Sequence, residues 1–171
     1  KSGIKPEEIE MIIVATSAPS QLYPAMGCRI QTALEIPNNI PAFDITAACT
    51  GLIYTLSIAR GFIASGMYKN ILLVATDNNS RLLDWSDRTA SILFGDGAGA
   101  VLLEPTTEEF GWLDSHLRTD GHGLPFLHMK EGGSVCPPSH FTVANRMHYV
   151  HQEGRTVFKF AVTNMSDSCA L

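Results

Sequence analysis

Residues 41–76 read PAFDITAACTGLIYTLSIARGFIASGMYKNILLVAT, and this stretch decides the class of the fold. Residues 41–48 are short and largely apolar, bounded by proline on one side and a glycine-containing turn on the other, the pattern of a strand. Residues 51–65 place Leu52, Leu56, Ala59 and Ile63 at helical spacing, and Gly66 stands where a helix C-terminus favours glycine. Residues 70–76 are a largely apolar run with β-branched residues, which marks a strand covered on both faces. Strand, helix and strand of these lengths form a βαβ unit and therefore a mainly parallel sheet.

The same alternation extends in both directions. Residues 10–17 repeat the buried-strand pattern, and residues 25–35 carry Met26, Ile30, Ala33 and Leu34 on one helical stripe that Pro37, Asn38 and Asn39 bring to an end. Downstream, residues 90–94 and 98–103 are apolar runs joined through Gly95-Asp96-Gly97, which predicts a hairpin or a sharply bent strand. Residues 105–154 are rich in Gly, Pro and His without sustained periodicity and predict loop and crossover. The spacing of Val157, Phe160, Ala161 and Met165 then predicts a final helix. The class is α/β, in segments 1–104, 105–155 and 156–171.

Composition narrows the function. The 171 residues are 45% hydrophobic and 17% charged, enough for one domain with its own core. The net charge of -5, with Lys and Arg scattered, argues against a nucleic-acid partner. No apolar stretch approaches the roughly 20 residues of a membrane-spanning helix. Cys28, Cys49, Cys136 and Cys169 include no C-x-x-C pair, which predicts free thiols and a reducing cytoplasm. The histidines at 116, 122, 128, 140, 148 and 151 lack metal-ligand spacing, so no metal is expected.

One residue carries chemistry. Cys49 lies where the strand over residues 41–48 runs into the following helix. The first turn of a helix presents unsatisfied N–H groups and the positive end of the macrodipole, which stabilise a thiolate. Small neighbours at Ala47, Ala48 and Gly51 permit a sharp turn and close approach of a substrate carbonyl, with the N–H at the nucleophile as one oxyanion donor. Spacing alone leaves the alternative of an inert, buried cysteine open.

The run Phe43-Asp44-Ile45-Thr46-Ala47-Ala48-Cys49-Thr50-Gly51 resembles the active-site segment of the β-ketoacyl-acyl carrier protein synthase III enzymes, members of the thiolase-like superfamily. The resemblance continues in order through Leu73-Val74-Ala75-Thr76-Asp77, Asp87-Arg88-Thr89 and Phe94-Gly95-Asp96-Gly97-Ala98-Gly99-Ala100. Upstream it includes residues 12–16, Tyr23-Pro24 and residues 28–31; near the end it includes residues 157–162. Each motif is weak by itself, and the ordered set is specific.

That resemblance implies a thiolase-like fold and a two-step condensation without a cofactor. Cys49 would take the acyl group from an acyl-coenzyme A and pass it to malonyl-acyl carrier protein, as in fatty acid chain initiation. Arg88 would contact the coenzyme A nucleotide, Phe158 the pantetheine tunnel, and Tyr23 would reach across a homodimer formed through the strand leading to Cys49. The implied His and Asn that stabilise the enolate have no counterpart in these residues: Glu153-Gly154 follows His151-Gln152, and Phe158 sets this region earlier in the family pattern, so His151 is not read as catalytic. Gln152 stands where the family often has Met. The resemblance further implies a central strand and a helix ahead of residue 1, so residues 1–171 are expected to be about half an enzyme and inactive alone.

Two other readings are open. Ala47-Ala48-Cys49-Thr50-Gly51 is also similar to the nucleophile elbow of a cysteine-dependent thioester hydrolase. A non-catalytic homologue used for association is the other. The run Gly95-Asp96-Gly97-Ala98-Gly99 lacks the helix that a dinucleotide fingerprint opens, and is read as a turn near Cys49 with glycines for close backbone approach.

Overall fold

The computed structural model of the protein describes residues 2–37, 39–109 and 111–170. Asn38, named above in the stop after the first helix, lies outside the described residues, as do the chain limits at 1 and 171. The chain divides into two units, Lys1–Asn78 with Asp96–Ser115, and Asn79–Gly95 with His116–Leu171.

The first unit is built on a four-stranded sheet. β1 (Met11–Ala15) lies between β2 (Ala42–Ile45) and β3 (Ile71–Asn78), parallel to both, and β4 (Asp96–Leu103) runs antiparallel along β3. All five residues of β1 are buried, because its alternate side chains serve two cores. Met11 and Ile13 join Ala59, Ile71 and Leu73 on the face covered by α2 (Gly51–Ala64). Ile12 and Val14 join Ile9 and Ile36 on the face of α1 (Met26–Ala33), against which Met26 and Ile30 pack. The unbroken apolar run of β1 is the sequence signature of this double burial.

The buried residues of α2 are Gly51, Thr55 and Ala59; of the expected stripe, Ala59 is buried, Leu56 and Ile63 pack against the same core, and only Leu52 stays exposed. Small residues one helical turn apart let the helix axis approach β1, with Leu56 and Ile63 filling the flanks. Gly66 closes the helix as the sequence predicts, at φ 72°. The Gly66 N–H donates to Ile63 O at 2.9 Å and the Met67 N–H to Phe62 O at 3.1 Å, the paired bonds of a Schellman cap.

Each strand of the sheet bonds directly to its neighbour in the order β2-β1-β3-β4. Other expectations are corrected. Gly97 and Gly99 belong to β4, opposite Asp77 and Ala75, and are not a hairpin turn. A Cβ at Gly95, Gly97 or Gly99 would meet nothing within 4 Å, so close backbone approach does not explain them. Ala90 and Ser91, read as a strand, fall in the one-turn α3 (Arg88–Ser91).

The second unit contains structure where the sequence predicts loop. β5 (Leu127–Met129) and β6 (Val150–Gln152) pair antiparallel, with His128 opposite His151. α4 (His140–Ala144) starts on a capping box between Ser139 and Thr142, a pairing hidden from the usual Ser/Thr…Glu/Gln pattern by threonine at its last position. α5 (Gly154–Cys169) follows where the final helix is expected. No helix among the described residues is long and apolar enough to cross a membrane.

Candidate active site

Cys49 is carried by a 3₁₀ turn, Ala48–Thr50, between β2 and α2. The turn is entered through Ala48 at φ 45°, a left-handed conformation that costs a non-glycine residue about 1–2 kcal/mol. Such strain clusters at functional sites, where surrounding structure over-determines it. Cys49 is exposed and makes no disulfide. No side chain caps the N-terminus of α2, because the Thr50 hydroxyl donates back to Ala47 O at 2.8 Å. An accessible thiol therefore sits at an uncapped positive helix end, an arrangement suited to stabilising an adjacent oxyanion.

The turn is held from below by residues of the same motifs. A Cβ on Gly51 would lie 2.8 Å from Ala15 Cβ, so only glycine lets α2 begin this close to β1. Asp44, five residues before Cys49, turns to α1 instead and accepts hydrogen bonds from the N–H groups of Met26 at 2.6 Å and Gly27 at 2.9 Å. Asp77 Oδ1 accepts from Thr16 Oγ1 at 3.2 Å and from the N–H groups of Ser17 at 2.7 Å and Ala18 at 3.0 Å. Thr46 Oγ1 donates to Thr16 O at 3.3 Å. The carboxyl ends of β1, β2 and β3 are thus tied together, which is where ligands bind in open α/β sheets.

The other candidate residues are distributed between the units. Tyr23 belongs with Cys49 to the first and is 83% exposed on the segment leading to α1. Arg88 and Phe158 belong to the second: Arg88 opens α3, and Phe158 is 70% exposed on α5. A cleft of about 480 Å³ in that unit is lined by Leu124, Phe126, Leu127, Val157 and Phe160, and Phe158 is not among its lining residues. His151 lies in β6 with its ring 5.1 Å from that of His128. Among the described residues, no group of three or more His, Cys, Asp or Glu is placed to hold a metal ion.

Sequence reasoning missed one cluster. Arg146 Nε donates to Asp84 Oδ2 at 2.7 Å, its Nη2 pairs with Asp84 Oδ1 and donates to Ser86 Oγ at 3.1 Å, and its guanidinium lies 5.3 Å from the Tyr149 ring centre. The Arg146 pairing, with the Ser86 hydroxyl, holds the Asp84 carboxyl well below the usual carboxylate range. Asp84 and Arg146 are too far apart in sequence for any local pattern to reveal the pair. The cap of α3 is legible, however: Asp87 accepts from the Thr89 N–H at 2.9 Å, the ordinary Asp-x-Thr turn.

Comparison with known proteins agrees with this architecture. A family model described as 3-oxoacyl-[acyl-carrier-protein (ACP)] synthase III matches residues 43–121. The chain is 53% identical over 170 residues to β-ketoacyl-[acyl-carrier-protein] synthase III 2 of Bacteroides thetaiotaomicron, covering 99% of this chain and 50% of that protein. It is 51% identical to the synthase III of Phocaeicola vulgatus, covering 99% of this chain and 51% of the relative. The crystal structure of 3-oxoacyl-[acyl-carrier-protein] synthase III from Aquifex aeolicus VF5 superposes with a TM-score of 0.84 at 35% identity, over 98% of this chain and 49% of that one. The chain spans about half the length of the curated relatives it matches. Its α/β architecture is that of the first half of a thiolase-like fold. With this identity along nearly its whole length, and the same fold beneath it, the chain belongs to the β-ketoacyl-[acyl-carrier-protein] synthase III family.

Proposed function

We propose that the full-length protein is an acyltransferase that condenses an acyl-coenzyme A with malonyl-acyl carrier protein through an acyl-Cys49 intermediate. The observation that carries this reading is the exposed Cys49 thiol on a strained turn at an uncapped helix N-terminus. In the first half-reaction the Cys49 thiolate attacks the thioester carbonyl, the C–S bond to coenzyme A breaks, and the coenzyme A thiol leaves with a proton. In the second, malonyl thioester loses carbon dioxide, and the released electron pair forms a C–C bond to the acyl carbonyl. The Cys49 sulfur then leaves as thiolate and a β-ketoacyl-acyl carrier protein is formed.

On the same reading Arg88 meets the coenzyme A nucleotide, Phe158 flanks the pantetheine arm and Tyr23 limits the acyl pocket of a homodimer partner. An exposed guanidinium suits phosphate and base stacking. Residues 1–104 belong to the first half of the fold, 105–155 to the crossover and 156–171 to the start of the second half. The reaction starts fatty acid chains in the cytoplasm, and residues 1–171 alone are inactive.

The test is mass spectrometry of the full-length protein after incubation with a short acyl-coenzyme A, followed by addition of malonyl-acyl carrier protein. Label confined to Cys49, lost in Cys49→Ala and chased into a β-ketoacyl product, is the expected result. Label elsewhere, or free acid released without condensation, overturns it; the latter would identify a thioester hydrolase.

A further inference from the structure

We infer that Arg146 is a positioning residue for Arg88, holding the segment that presents Arg88 to the nucleotide of coenzyme A. The inference rests on the proposed nucleotide role of Arg88, and both residues lie in the second unit.

α3 has four residues and cannot hold its own orientation, because an isolated helical turn costs more conformational entropy than its hydrogen bonds return. The direction of Arg88 is therefore set by the segment that precedes it. That segment is folded around Asp84. Its Oδ1 accepts from the Ser86 N–H at 2.9 Å and from Ser86 Oγ at 2.6 Å, while Asp84 O accepts from the Asp87 N–H at 2.9 Å. Asp87 in turn caps α3 through the Thr89 N–H. Arg146 grips this loop by a fork, one arm on each Asp84 oxygen, with a further bond to Ser86 Oγ.

Arg146 is itself fixed. Its backbone takes φ 57° after α4, its N–H donates to Val143 O at 3.0 Å, and its guanidinium packs beside Tyr149. The same loop is tied to β6, where the Val150 N–H donates to Leu82 O at 2.9 Å, and it is anchored by Leu83, which is 2% exposed. A planar guanidinium can satisfy both carboxylate oxygens and a hydroxyl at once. A lysine ammonium at that point cannot reproduce the fork. The depressed Asp84 carboxyl keeps the acceptor ionised at any pH where the protein would act.

The experiment compares two thioesters of the same acyl group, acyl-coenzyme A and acyl-pantetheine, which lacks the nucleotide. Full-length wild type, Arg88→Ala, Arg146→Ala, Arg146→Lys and the double alanine variant are assayed for transfer. Arg146→Ala and Arg146→Lys are expected to raise KM for acyl-coenzyme A about tenfold, the scale of one lost charge-assisted hydrogen bond. KM for acyl-pantetheine is expected to stay within about twofold, and the double variant to be no worse than Arg88→Ala alone, as coupled residues require. A tenfold effect of Arg88→Ala with none from Arg146→Ala overturns the inference and leaves the Arg88 role standing. Equal losses on both thioesters in the Arg146 variants assign a structural role only and overturn it as well. No selective effect of Arg88→Ala overturns both readings. Where Arg146→Ala fails to fold, Arg146→Lys and Asp84→Asn remove the fork while preserving bulk.

Discussion

Gly51 and Ala15 touch across the interface of α2 and β1 so closely that a single added carbon on Gly51 would lie 2.8 Å from Ala15 Cβ. The contact fixes the height of the helix whose first turn adjoins Cys49. Gly51→Ala is expected to destabilise the protein by about 1–3 kcal/mol, the usual cost of overpacking a filled core. It should also slow acylation of Cys49, and Ala15→Gly in the same chain should restore part of both. Denaturant unfolding and acylation rates of the single and double variants check this; a neutral Gly51→Ala would show that the helix start is free to shift.

Asp77 is expected to matter through β1 rather than through substrate. Its carboxylate receives three hydrogen bonds from residues 16–18, and Asp77→Ala leaves two main-chain N–H groups without that acceptor. A loss of about 1.5–3 kcal/mol is expected, the range for a bond to a charged group. Chemical denaturation gives the value, and the label in mass spectrometry should remain on Cys49.

Asp44 provides the contrasting case within the active-site motif itself. It caps α1 from β2, so Asp44→Ala should cost about 0.5–2 kcal/mol, as the loss of a helix cap does. KM for acyl-coenzyme A should not change. A selective rise in KM without loss of stability would mean that Asp44 serves the substrate.

The Arg146–Asp84 pair predicts an acid limb in stability. The Asp84 carboxyl is depressed in the folded protein, chiefly by Arg146, so the unfolded state binds its proton first as pH falls. The stabilisation is present above the ordinary aspartate range near pH ~4 and is lost as pH drops through the folded value. Asp87, depressed chiefly by the Thr89 hydroxyl, contributes in the same direction. The stability difference between wild type and Arg146→Ala should therefore be constant near neutrality and shrink below about pH 4. Thermal unfolding across that range measures it, and a difference growing toward acid would contradict the assignment.

Much of the first unit was readable before any coordinates. The double burial of β1 shows as an unbroken apolar run, and the βαβ alternation shows as changes of period. The Gly66 cap shows as a glycine at the end of a helical stripe, because these are local consequences of backbone geometry. The second unit was less readable. β5 and β6 have three residues each and, among the described residues, pair with one another alone, too short for a period to register.

Cys49 is legible as a candidate nucleophile in consecutive residues, since a small-residue junction between strand and helix is local, and the ordered family motifs around it set it apart from an inert cysteine. What the tertiary structure decided is how that junction is held. Gly51 is required because Ala15 lies beneath it, Asp44 and Asp77 tie elements distant in sequence, and the glycines of β4 line an open strand rather than a turn. Arg146 reaches Asp84 only after the chain has folded back. Periodicity records what each residue does to its own helix or strand. Contacts between elements depend on where those elements meet, and that is set by packing.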